Sequence, residues 1–141
     1  MARLVKINKA KKTQEIIKSK DTRFSHDVEV GVTIAVHVRN GLAYFTAAFT
    51  NALMGDQFSR SRGRLITAGR INKFMTSSPE LPVVTREIRE GETAGTIIKT
   101  TLQLVSNNAL FFDKSAVDSV TLEKWYDRET QRLILENAFL S

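Results

Sequence analysis

Cysteine is absent from all 141 residues, which excludes disulfides, thiolate zinc sites and a cysteine nucleophile at once. Histidine is nearly absent too: the two present, His26 and His37, are too few for the histidine-rich sites of metal-dependent phosphohydrolases, although His26-Asp27 has the look of one such pair. No apolar run approaches the roughly 18 residues a membrane span needs. The opening MARLVKINKAKK is basic but lacks the apolar segment of a signal peptide, so a cytoplasmic location and no membrane partner are expected. No G-x-S-x-G elbow occurs, and the glycines never form G-x-x-x-x-G-K-[ST] or G-x-G-x-x-G. Acids such as Glu87 and Glu90 stand among arginines, which suits exposed ion pairs better than a catalytic dyad. The expectation is a protein with no enzymatic activity, no metal and no cofactor.

What is present is charge, unevenly placed. The net charge is +6. Residues 1–24 hold eight bases and two acids, and residues 56–74 five bases and one acid; residues 25–55 and 75–141 are both slightly acidic. A lysine excess serving solubility alone would be spread along the chain. Two basic blocks instead favour a polyanionic partner at one face.

The length suits one folding unit. Residues 1–22 read as a basic, partly mobile arm with a helix-compatible centre at Gln14–Ile17, and residues 23–141 as a single globular domain. In DVEVGVTIAVHVR, residues 27–39, Val28, Val30, Val32, Ile34, Val36 and Val38 alternate as in a strand, while Ser25 and Asp27 offer helix caps and Asn40-Gly41 a helix end. Residues 42–54 place Leu42, Phe45, Phe49, Ala52 and Leu53 at helical spacing and read as a buried helix ending at Gly55. Ser59 and Ser61 then offer N-caps for a second helix with Leu65, Ile66, Ile71 and Phe74 inward and Arg62, Arg70 and Lys73 outward, broken by SSPELP. Residues 83–104 read as a short hairpin turning at Glu90-Gly91 and passing into an apolar stretch, and Thr121–Leu140 as a terminal helix. The expected fold is mainly α with a minor β element (α+β): a small helical domain with a short hairpin after residue 82.

DQFSRSRGRLITAGRINKF, residues 56–74, is the candidate binding surface. Arg60, Arg62, Arg64, Arg70 and Lys73 would form a basic groove, with Lys9, Lys11 and Lys12 as an electrostatic arm. Lysine and arginine hold a phosphate backbone by displacing its counterions, and single strands gain a further ~1 to 3 kcal/mol per base from aromatic stacking. Phe58 and Tyr44 are the candidate stacking rings, though each also suits a core; His37, within an apolar run, reads as a hydrogen-bonded core residue.

The order HDVEVGVTIAVHVRNG, AAFTNAL, RSRGRLITAGRINKF, FFDKS and KWYD, spanning about residues 25–127, resembles a loosely defined group of small proteins of podovirus-like phages. The resemblance implies that residues 27–39 are helical; the basic arm and residues 83–104 lie outside it. In size, basicity and lack of enzyme motifs the chain is also similar to phage single-stranded-DNA-binding transcription cofactors. The expectation is therefore a basic, cytoplasmic phage protein of an infected host cell, binding single-stranded DNA with little sequence preference in transcription or replication. Assembly as a homo-oligomer is expected from the apolar end LILENAFLS. The alternatives are a module docking phage or host RNA polymerase, and a duplex-binding regulator of helix-turn-helix type with Arg62–Ile71 as recognition helix.

Overall fold

The computed structural model describes residues 2–29, 31–49, 58–115, 131–133 and 135–136, with the side chains of 2–9 and 107–115 outside the description. The element order is α1 (Ala2–Lys18), β1 (Thr22–Asp27), β2 (Val32–Arg39), β3 (Leu42–Phe49), α2 (Arg60–Thr76), β4 (Val83–Glu87) and α3 (Ala94–Ser115). The strands form one antiparallel sheet in the order β1-β2-β3-β4. The fold is α+β with the sheet at its centre, and the expected mainly helical domain is overturned.

The correction turns on Asn40-Gly41. Both residues have positive φ, 52° and 77°, the backbone required by a two-residue turn that matches the twist of a hairpin. Arg39 consequently pairs with Leu42, and the register runs back to Val32 opposite Phe49. The alternation of Val32, Ile34, Val36 and Val38 was a true strand signal, against the helix implied by the phage resemblance. Residues 42–49 are likewise a strand: Ala43, Phe45, Ala47 and Phe49 share one face, and this period of two prevails over the helical spacing of Leu42, Phe45 and Phe49. Residues 50–54 of the expected helix lie outside the described residues.

β2 is buried on both faces. Val32, Ile34 and Val36 meet Phe45, Ala47 and Val84 and, from α3, Ala94, Ile97, Ile98 and Val105; Leu135 closes this core. On the other face Ala35 meets Ile16 of α1, Ala68 and Ile71 of α2 and Val83. The molecule is thus layered: α1 and α2 on one side, the sheet between, α3 on the other.

The expected hairpin after residue 82 is absent, because β4 pairs with β3 and Gly91, at φ 79°, turns the chain into α3. Thr93 and Thr96 cap that helix reciprocally: the Thr93 amide donates to Thr96 Oγ1 at 2.8 Å and the Thr96 amide to Thr93 Oγ1 at 3.3 Å. Ile97, Thr101 and Val105 then fall on one buried stripe. The arm of residues 1–22 holds α1, whose Thr13 and Ile16 are buried, and α1 packs beside α2. Of the expected terminal helix, residues 131–133 and 135–136 are helical; the remainder lies outside the described residues. No helix among the described residues is long and apolar enough to cross a membrane.

Candidate nucleic-acid interface

Helix α2 begins where Ser59 Oγ accepts from the Arg62 amide at 3.3 Å. Its first turn holds no acid, so Arg60, Arg62 and Arg64 add to the positive end of the helix dipole instead of offsetting it. Gly63 sets this end against the sheet: a Cβ there would lie 2.2 Å from Thr33 Oγ1. Thr33 Oγ1 also pairs with His26 Nδ1 at 2.8 Å. Burial, with Arg64 and then Arg60 close by, holds the His26 imidazole below its ordinary pKa.

The structure divides the predicted basic set. Arg60, Arg62 and Lys73 are exposed and Arg64 is half-buried. Arg70 turns inward, donating from Nη1 to the Ala47 carbonyl at 2.5 Å and to Gln131 Oε1 at 3.4 Å. It ties α2 to β3 and the C-terminal segment, and its expected outward place is corrected. Leu65 and Ile66 are also corrected: expected in the core, they are 51% and 37% exposed beside Arg62. Ile71 is buried and Phe74 half-buried, as expected. Lys11 and Lys12 are exposed on α1; Lys9 belongs to that helix, with its side chain outside the description.

Packing brings the two basic sequence blocks into one layer. Together α1 and α2 carry eleven basic residues and one acid, Glu15, whereas the rest of the chain carries ten bases and fourteen acids. The two helices therefore carry +10, and the remaining described residues, with eight bases and nine acids, carry −1.

Neither candidate stacking ring is a free platform. Phe58 is half-buried and meets the His26 ring edge-on at 5.8 Å. Tyr44 is half-buried between His37 and Phe74, each 6.2 Å away between ring centroids. Tyr44 does, however, line a cleft of about 910 Å³ between α1, the end of α2 and the β2–β3 turn. Buried His37 and Asn72 share its inner wall, and exposed Lys12, Glu15, Asp21 and Arg39 stand around its mouth.

His37 is a hydrogen-bonded core histidine, with Nδ1 paired to Thr22 Oγ1 at 2.7 Å. Burial first, then Arg39, lowers its pKa, and Asp21 opposes the shift. Sequence reasoning missed the cleft because it took residues 42–54 as a helix. The signal was there: a two-residue Asn-Gly turn sets His37 opposite Tyr44 by counting outward from it.

No protein family, curated protein or solved structure matches the chain. Charge and geometry therefore carry the functional reading. The helix-turn-helix alternative loses its first helix, since Leu42–Phe49 is a strand. Among the described residues, no three metal-ligating side chains converge.

Proposed function

We propose that the protein binds single-stranded nucleic acid, DNA by preference and with little sequence selectivity, on the outer surface of the α1–α2 layer. The observation that supports this most strongly is the concentration of eleven basic residues and one acid on those two packed helices. Arg60, Arg62, Lys73, Lys11 and Lys12 are the exposed cations that would contact phosphates, with Arg64 beside them. Each neutralised phosphate releases counterions, so affinity should fall with salt at a log-log slope of about −0.7 per contact on a single strand. A role in phage transcription or replication, in host cytoplasm and as a homo-oligomer, fits this reading.

Fluorescence anisotropy with labelled single-stranded and duplex oligonucleotides over a salt series tests it. Tighter single-strand binding with that slope is expected. Absence of binding to either at moderate salt overturns the proposal.

Leu65 and Ile66, exposed beside Arg62 and Arg64, favour one second reading: docking of an acidic protein surface such as that of a phage or host RNA polymerase. Replacing both by serine would abolish such docking and leave oligonucleotide binding unchanged.

A further inference from the structure

The cleft beside Tyr44 has features that a simple phosphate groove does not need. Its inner wall combines an aromatic ring with a buried imidazole, and its volume, about 910 Å³, lies in the range of small-molecule sites. His37 is 6% exposed. Its Nδ1 is committed to Thr22, so Nε2 is the nitrogen left for a ligand. The Thr22 hydroxyl can either donate or accept, and Nε2 takes the complementary role, so the ring suits either type of atom on a heterocycle edge.

Charge narrows the ligand. Lys12 and Arg39 at the mouth are balanced by Glu15 and Asp21. Such a rim exerts no net pull on a phosphate, in contrast to the outer face of the same helical layer. The part of a ligand that enters should be neutral, planar and rich in hydrogen-bonding groups, while its anionic part stays outside the cleft. A nucleobase on a sugar-phosphate chain has this division.

The two carboxylates add a preference. Asp21 lines the same cleft as His37, and its carbonyl accepts from the Val38 amide at 3.0 Å, which holds it beside the strand that carries that ring. A carboxylate accepts from an exocyclic amine and repels a carbonyl oxygen at the same place.

We infer that the cleft takes one base of a bound strand, stacked on Tyr44, and that it favours cytosine and adenine over thymine. The inference rests on the nucleic-acid reading above and adds a base-contacting site to it.

The experiment has two arms. In the first, oligo-dC, oligo-dA, oligo-dT and an abasic strand of equal length are titrated against wild type, Asp21→Asn and Tyr44→Leu at fixed salt. Oligo-dC and oligo-dA should bind at least about fivefold more tightly than oligo-dT. Asp21→Asn, an exposed change, should shrink that preference. Tyr44→Leu, checked for folding by circular dichroism, should weaken every base-bearing strand by about fivefold or more while sparing the abasic one. In the second arm, the ring signals of His37 and Tyr44 are followed by NMR during addition of cytidine 5′-monophosphate, with ribose 5′-phosphate as control. Shifts with the nucleotide alone are expected.

The outcomes separate the two readings. Equal binding of all strands, the abasic one included, together with unmoved ring signals overturns the cleft assignment and leaves the phosphate groove standing. No strand binding, with ring signals that move with the nucleotide alone, removes the groove and keeps the cleft as a mononucleotide site.

Discussion

Arg62 and Arg70 are the same residue type on one helix, and their surroundings give them different work. Arg62 is exposed, whereas Arg70 donates to the Ala47 carbonyl and Gln131. Arg70→Ala should cost about 1 to 3 kcal/mol of folding stability, because it strands a buried acceptor. Arg62→Ala should stay within ~0.5 kcal/mol of wild type in denaturant unfolding and flatten the salt slope of single-strand binding by about 0.7. Equal stability losses in the two variants would contradict this division. Glu92 is governed in the same way by its partners: both carboxylate oxygens accept from Arg86, at 2.8 and 2.9 Å, and one also accepts from the Arg89 amide at 2.6 Å. Foremost the Arg86 hydrogen bonds, then the Arg89 amide, lower its pKa from 4.5 to about 2. A depressed carboxylate stabilises the fold fully above its ordinary pKa and loses that contribution as pH falls through the folded value. Glu92→Gln should therefore lower stability at neutral pH and reduce its decline between about pH 5 and pH 2, measured by urea midpoints across that range.

Two glycines set how whole elements sit. Gly63 brings α2 against β2 so closely that an added methyl meets Thr33 Oγ1, Cβ and Cγ2 at 2.2, 2.7 and 3.1 Å. Gly63→Ala should therefore destabilise by about 1 to 3 kcal/mol despite alanine's better helix propensity. A gain in midpoint in thermal unfolding would show that α2 can move away at no cost. Gly41, at φ 77° with open space around it, tests conformation without sterics. Gly41→Ala should cost about 1 kcal/mol, because an alanine there must hold a left-handed backbone. At this scale much of the sequence was legible. Ser59 marked the start of α2, SSPELP its end, and the valines of β2 their strand. Residues 42–49 were misread because an alanine-rich segment with Leu42, Phe45 and Phe49 so spaced satisfies both periods, and only pairing across Asn40-Gly41 separates them. In α3, β-branched Thr96, Ile97, Ile98, Thr100 and Thr101 fall in the stretch read only as apolar after a hairpin, and burial of one helical stripe prevailed over their strand propensity.

For the whole molecule, the property that matters most is the concentration of positive charge on the α1–α2 layer. The predicted groove residues on that layer were half legible: Arg60, Arg62 and Lys73 stand where composition placed them, while Arg70 is taken up by the sheet. Whether a side chain faces solvent depends on partners far along the chain, here Ala47 and Gln131, which no local pattern contains. Repetition of the basic layer in a homo-oligomer would raise its avidity for a long strand. Light scattering after size exclusion should give a mass above the monomer's 15.9 kDa, and a monomer would remove that part of the proposal.

Some properties needed nothing beyond the sequence. The lack of cysteine, the two basic blocks and the cap at Ser59 are facts of composition or of a few adjacent residues, because capping preferences act over one turn of chain. Tertiary structure alone decided that the two basic blocks share a layer, that Arg70 is structural, and that His37, Tyr44 and Asp21 line one cleft. Those outcomes depend on which faces of α1, α2 and the sheet bury one another, and that is settled by packing among residues distant in sequence.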